Sequence, residues 1–197
     1  VSGSSAAICT YFSVLTAYGL YTYDFKLRNA AFTFIMAILV MPTQVTAMGF
    51  LRLITKLGMY DTLWPLIIPS IASPAVFYFM YSYLQSSLPL SLVEAARIDG
   101  ASELYIFIKI GLPLGKGSIL SAIVLGFLEY WNMIEQPLAF LEDKFLWPLS
   151  LYLPEIDWTQ AGMAFSASVI MLIPAVFVFM MGNDYLEQGI IYSGLKQ

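Results

Sequence analysis

Charge is nearly absent from five long stretches of this 197-residue chain: 1–23, 29–51, 62–93 and 158–183 carry none, and 117–141 carries only Glu129 and Glu135. A helix needs about 20 predominantly apolar residues to cross a bilayer. The pattern therefore predicts five spans, at about 3–23, 30–51, 63–84, 117–139 and 160–181. Neither a 20–50-residue repeat nor a Gly/Ser linker divides the chain, so residues 1–197 read as one membrane domain. The expected fold is an all-α membrane protein, a polytopic bundle of transmembrane helices.

Composition agrees with the pattern and removes several functions. Hydrophobic residues make up 59% and charged residues 11%, against about 25% charged in a soluble domain, and mean hydropathy is +0.77. A net charge of −4 argues against a nucleic-acid partner. With no His and only Cys9, the chain lacks the residues for His or Cys metal sites, disulfides and His-based catalysis. The first segment has no basic flank and is not read as a signal peptide; the chain begins with Val1 and reads as a fragment. Lys26, Arg28, Arg97, Lys109, Lys116 and Lys196 fall on one side of the five spans, and Arg52, Lys56 and Lys144 on the other. The first set predicts the cytoplasmic side, so the chain should start outside and its tail lie inside.

The most polar connection, 85–116, contains EAARIDGASELYIFIKIGLPLGK from Glu94 to Lys116. Ser91 and Glu94 have capping-box spacing, so a short helix is predicted from there through Ile98. Gly100 supplies a left-handed stop. A second helix is predicted from Ala101, with Glu103 complementing its dipole, and Pro113 should end it. The first helix is too short to stand alone in water and must dock. Ala95 and Ala96 leave a low surface, while Glu94, Arg97 and Asp99 suit a polar partner. The alternative is a loop resting on lipid headgroups, which the acidic residues Glu94, Asp99 and Glu103 disfavour.

Glu94-Ala95-Ala96, Asp99-Gly100-Ala101 and Ile110-Gly111-Leu112-Pro113 resemble the EAA loop of ABC importer permeases, whose pattern is EAA, three residues, Gly, about nine residues, then I-x-L-P. Trp131-Asn132 and the tail Gln188-Gly189 through Gly194-Leu195-Lys196 resemble the sugar-importer branch typified by the maltose permease. The resemblance implies a type I importer permease fold and a further helix before Val1, since that branch has six spans. It implies that Glu94, Ala95, Ala96, Arg97, Asp99, Gly100 and Ala101 form a cytoplasmic coupling helix seated on an ATPase. Further implications are a second permease, two ATPase subunits that hold ATP and Mg, and an external substrate-binding protein. No cofactor and no catalytic or metal-binding residue is then expected in this chain, which would be a multi-pass subunit of a bacterial or archaeal plasma membrane working by alternating access.

Acidic residues inside a span are the next signal. Glu129 lies about 20 Å along a helix from Lys116 and Glu135 about 28 Å, which puts Glu129 at depth. On one helix Glu129, Asn132, Glu135 and Gln136 share an arc. A carboxylate at depth should face the bundle or a water-filled path. Glu129, Trp131 and Asn132 are the candidate substrate pathway, with Trp131 able to stack on a sugar ring. Hydrogen bonding to another helix is the alternative. Pro42 with Thr43 and Gln44, then Pro65, Pro69, Pro74 and Pro174, should interrupt or kink their spans. Tyr21, Tyr23, Trp64, Trp147 and Trp158 suit an interfacial belt. Segment 147–158, with Glu155 and Asp157, could meet a binding protein or be a solvated loop. GLPLGKGS at 111–118 imitates a phosphate loop, but Ile110 and Gly117 occupy positions that need Gly and Ser or Thr. The sequence reading is an ATP-driven sugar or oligosaccharide importer permease. An importer for a polyamine or an anion, and an ion-coupled carrier using Glu129, are the rivals.

Overall fold

The computed structural model describes residues 1–152 and 161–194, without side chains at 43–45 and 187–194. Trp158, Glu155, Asp157, Leu195 and Lys196, and the side chain of Gln188, lie outside the described residues. All regular structure among the described residues is helical. In chain order the elements are α1 (Ser2–Thr22), α2 (Arg28–Val40), α3 (Thr43–Lys56) and α4 (Trp64–Ile67) with a 3-10 turn (Ile68–Ala72). Next come α5 (Pro74–Ser87), α6 (Leu90–Ile98) and α7 (Glu103–Ile106) with a π turn (Phe107–Gly111). α8 (Leu112–Leu114), α9 (Lys116–Trp131), α10 (Glu135–Phe140), α11 (Leu149–Tyr152) and α12 (Ala161–Gly194) complete the order.

The centre of the bundle is α1, against which α5 and α9 pack. Its inward residues are small: Ser5, Ala6, Cys9, Ser13 and Ala17 are buried. Small residues let backbones approach, and a Cβ at Gly126 of α9 would sit only 3.7 Å from Ala6 Cα. Ser2, Ser4, Ser5, Thr10, Ser13, Thr16 and Thr22 lower the mean hydropathy of α1. By length and apolarity, Trp64–Ser87 and Ala161–Leu186 are long and apolar enough to cross a membrane, and a third span is reached if Glu103–Leu114 and Lys116–Trp131 count as one bent unit. The five spans predicted from charge-free windows are thus reduced to two or three by this measure. Three of them are also divided: Pro42 separates α2 from α3, 63–73 is a short helix and a 3-10 turn, and the helix starting at Lys116 ends at Trp131.

One end of the bundle gathers the C-terminal turn of α1, the end of α5 and the segment α6–α8. Leu88, Val93 and Ile106 are buried there in the cluster containing Ala17, Tyr18 and Leu20. α12 runs back along α9: Trp131 Nε1 donates to Met171 O at 3.0 Å, and Ser121 Oγ to Tyr185 O at 2.5 Å. At the opposite end, Asp61 adopts φ 57, and its Oδ1 accepts from the amides of Glu142 and Asp143 at 2.8 and 2.9 Å. That tie fixes the turn after α3 to the segment after α10.

Candidate functional site

The turn at Gly100 forms as its sequence predicts. Gly100 has φ +81. Its amide donates to Arg97 O and the Ala101 amide to Ala96 O, both at 3.0 Å. These are the two bonds of a Schellman stop. Ala96 and Ala101 also pack against the core, so the short helix is closed by backbone bonds and an apolar contact together. The predicted capping box is not made. Helix α6 begins at Leu90 after Pro89, with no side-chain cap, which leaves Ser91 inside the first turn. The cause is the anchored entry: Leu88 is buried, and the Tyr21 hydroxyl donates to its carbonyl at 2.9 Å.

Pro113 does not end the second helix. In the π turn ahead of it the Leu112 amide bonds to Phe107 O, and Pro113 falls in the first turn of α8, where its missing N–H is not needed. The chain turns instead at Gly115, and Glu103–Leu114 lies at 72° to Lys116–Trp131. This rod therefore crosses the end of the bundle rather than continuing it. The start is also two residues later than Ala101, at Glu103: Ser102 is the N-cap, its hydroxyl accepting from the Tyr105 amide at 3.3 Å.

The predicted coupling residues divide into two groups. Glu94, Ala95, Asp99 and Gly100 are exposed, and Ile98 beside them is 86% exposed. Ala96, Arg97 and Ala101 face inward in part. Arg97, expected to meet a partner, grips Glu103 by a fork: Nε to Oε1 at 2.6 Å and Nη2 to Oε2 at 3.2 Å. Arg97 Nη2 also donates to Thr22 O at 3.4 Å, and its guanidinium lies 5.4 Å from the Tyr23 ring centre. The Tyr23 hydroxyl donates to Glu103 Oε2 at 3.0 Å. The guanidinium above all holds the Glu103 carboxyl below its ordinary range, against opposing desolvation and with the Tyr23 hydroxyl adding to its effect. A depressed carboxylate contributes its stabilisation above the ordinary carboxylate pKa and loses it as pH falls through the lowered value. The pair is therefore fully ionised at neutral pH.

Sequence reasoning missed this cluster because Arg97 and Glu103 are separated by a turn and share no helical spacing. Tyr21 and Tyr23, which suit an interfacial belt by sequence, also hold the loop through their hydroxyls. Behind them the Tyr18 ring meets Phe107 edge-on at 4.9 Å and Tyr23 at 6.4 Å. Gly111 makes room: a Cβ there would stand 2.8 Å from Tyr18 Cε2.

The candidate pathway residues lie at the far end of α9. Glu129 and Asn132 are exposed on this chain and Trp131 is half-buried. Trp131 stacks on Phe127 with ring centres 5.6 Å apart, and its indole N–H is engaged by α12. Asn132 is the C-cap of α9, its Nδ2 donating to Leu128 O at 2.9 Å. Since the helix stops here and Glu135 opens α10, Glu135 and Gln136 do not continue the arc of Glu129 and Asn132 as one helix requires. Among the described residues no basic side chain pairs with Glu129, and no cluster of His, Cys, Asp and Glu could hold a metal ion.

Residues 10–192 match the family described as "Binding-protein-dependent transport system inner membrane component". The chain is 31% identical to the arabinooligosaccharides transport system permease protein AraQ of Bacillus subtilis (strain 168), over 98% of this chain and 69% of that one. It is 34% identical to AraQ of Halalkalibacterium halodurans, over 94% and 67%. To the sn-glycerol-3-phosphate transport system permease protein UgpE of Pectobacterium atrosepticum it is 30% identical, over 92% and 66%. With the family matched over most of the chain and relatives at 31% and 34% identity, the chain belongs to the binding-protein-dependent transport system inner membrane components, the permease subunits of ABC importers.

Proposed function

We propose that the chain carries a sugar or oligosaccharide, delivered by an external binding protein, and that Glu94, Ala95, Asp99 and Gly100 present the docking face to a cytoplasmic ATPase. The observation that carries this reading is the loop itself. A nine-residue helix closed by a Schellman turn exposes two acidic side chains, an alanine and an isoleucine on one face. A protruding face with exposed Ile98, Leu104 and Tyr105 is costly in water, and an apolar cleft with basic rims would cover it. ATP and Mg belong to that partner; this chain supplies no hydrolytic chemistry. The full transporter would hold a second permease and two ATPase subunits, and work by alternating access. Five crossings, with the loop and C-terminus cytoplasmic, fit the Lys and Arg asymmetry.

Two of the relatives are named for arabinooligosaccharides and one for sn-glycerol-3-phosphate, so both a neutral and an anionic solute have precedent among them. Glu129, exposed and without a basic partner among the described residues, would repel an anion in a low-dielectric path. A neutral sugar is the better fit, with Glu129 and Asn132 as hydrogen-bonding groups and Trp131 as an apolar wall.

Glu94→Lys tests the docking face. The side chain is exposed, so the permease should insert and fold normally. Reversal of a charge at an interface should weaken ATPase binding by about tenfold or more. Co-purification of the ATPase from membranes is the measurement, and undiminished ATPase binding would falsify the docking assignment. Orientation is tested by cysteine labelling from outside. Ser150, on the side the Lys and Arg asymmetry puts outside, is unsuitable because it is buried and bonded to Met133 O. Phe145→Cys, at a 96% exposed site, should react with an impermeant reagent while Leu104→Cys is shielded; the reverse pattern inverts the topology.

A further inference from the structure

We propose that Arg97 and Glu103 are a positioning pair: they clamp the loop to the last turn of α1, and α1 is the span through which the loop moves the transport path. The proposal rests on the reading of the loop as the ATPase-coupling element.

Two points hold the last turn of α1. Tyr21 bonds the carbonyl of Leu88, at the entry to the loop. Thr22 O and Tyr23 meet the Arg97–Glu103 fork, in the middle of the loop. A body held at one point can pivot in any direction, whereas a second point leaves only rotation about the line joining the two. Both grips are on α1, which is also the helix that α5 and α9 surround. A displacement of α6 therefore reaches the element at the centre of the bundle directly through these grips, besides reaching α5 along the chain.

Energetics argue the same way. Side chains of the pair are 33% and 43% exposed, and an ion pair in that setting contributes little to stability. What the fork supplies is direction, because a planar guanidinium on a carboxylate defines an angle that a point charge does not. The exposed face of α6 is left to Glu94, Ala95, Ile98 and Asp99, so Arg97 is turned away from the surface that a partner would cover.

The test uses the whole transporter reconstituted in vesicles with its ATPase and binding protein. Arg97→Lys keeps the charge but cannot form the fork. Glu103→Gln keeps the shape but loses the ion pair. Both variants should insert, melt at the wild-type temperature, bind the ATPase normally and retain basal hydrolysis. Solute imported per ATP hydrolysed should fall by about fivefold or more in each, the size of a typical coupling free energy between sites. Tyr23→Phe, which removes one of the acceptor contacts of Glu103, should show a smaller loss of the same kind. If Arg97→Lys couples normally, the residue is a point charge and the positioning role is wrong. If either variant loses ATPase binding as Glu94→Lys does, the pair belongs to the docking face, and the clamp is wrong while the coupling loop stands. A parallel drop in melting temperature and uptake would make the pair merely structural. Normal ATPase binding by Glu94→Lys would instead overturn the underlying reading of the loop.

Discussion

Gly111→Ala should loosen the crosswise rod from α1 and cut ATP-driven uptake severely, although it adds a single methyl group. The new Cβ would stand 2.8 Å from Tyr18 Cε2 and 3.2 Å from Cδ2. Tyr18 cannot step aside easily: it is buried, and Phe107 and Tyr23 stand edge-on to its ring. Overpacking of this kind costs about 1–3 kcal/mol. The strain falls where the rod carrying the I-x-L-P residues crosses the centre helix, so it should separate loop from span before it unfolds the bundle. Tyr18→Leu removes Cε2, the nearer clashing atom. The double variant should therefore recover stability that Gly111→Ala loses, at the expense of a smaller cavity defect. Thermal unfolding in detergent and uptake in vesicles read both effects. A Gly111→Ala protein that melts and transports like wild type would mean that the Tyr18–Gly111 contact constrains nothing.

Gly100→Val should abolish coupling by a different route. No atom lies within 4 Å of a Cβ at this position, so no clash opposes the substitution. The opposition is entirely conformational. At φ +81 a side chain costs about 1–2 kcal/mol, more for a branched one. Relief of that strain breaks the bonds from Gly100 to Arg97 and from Ala101 to Ala96. The helix carrying Glu94 and Ala95 would then lose its stop, and its angle to the rod behind it. Gly100→Asn provides the control, because asparagine tolerates the left-handed region. The valine variant should insert normally yet show neither ATPase binding nor uptake, while the asparagine variant keeps most of both. Equal activity of the two would show that the turn geometry is irrelevant.

The contrast between the two glycines shows what a sequence can and cannot reveal. Gly100 was legible because its requirement is local: a helix stop needs a left-handed residue, and the residues that form it lie within five positions. Gly111 was legible only as part of a motif. Its physical demand comes from Tyr18, 93 positions earlier by the numbering, and no periodicity connects the two. Likewise Pro113 was expected to end a helix. The π turn before it shifted the register so that proline fell in a first turn, and Gly115 made the bend instead.

By itself the sequence determined the class of molecule, the order of apolar and polar segments, and the position of the loop with its Gly100 turn. Those depend on composition and on interactions between near neighbours in the chain. Span count was less secure, because an apolar window does not report breaks such as those at Met41–Pro42 and Asn132–Ile134, nor why α1 can be rich in small hydroxyl residues. Only the tertiary structure decided that α1 is central and that Arg97 turns inward to Glu103. It likewise brought the hydroxyls of Tyr21 and Tyr23 to the loop. A hydroxyl or guanidinium takes whichever acceptor the fold brings within about 3 Å, and the acceptors here come from residues 67 and 80 positions away.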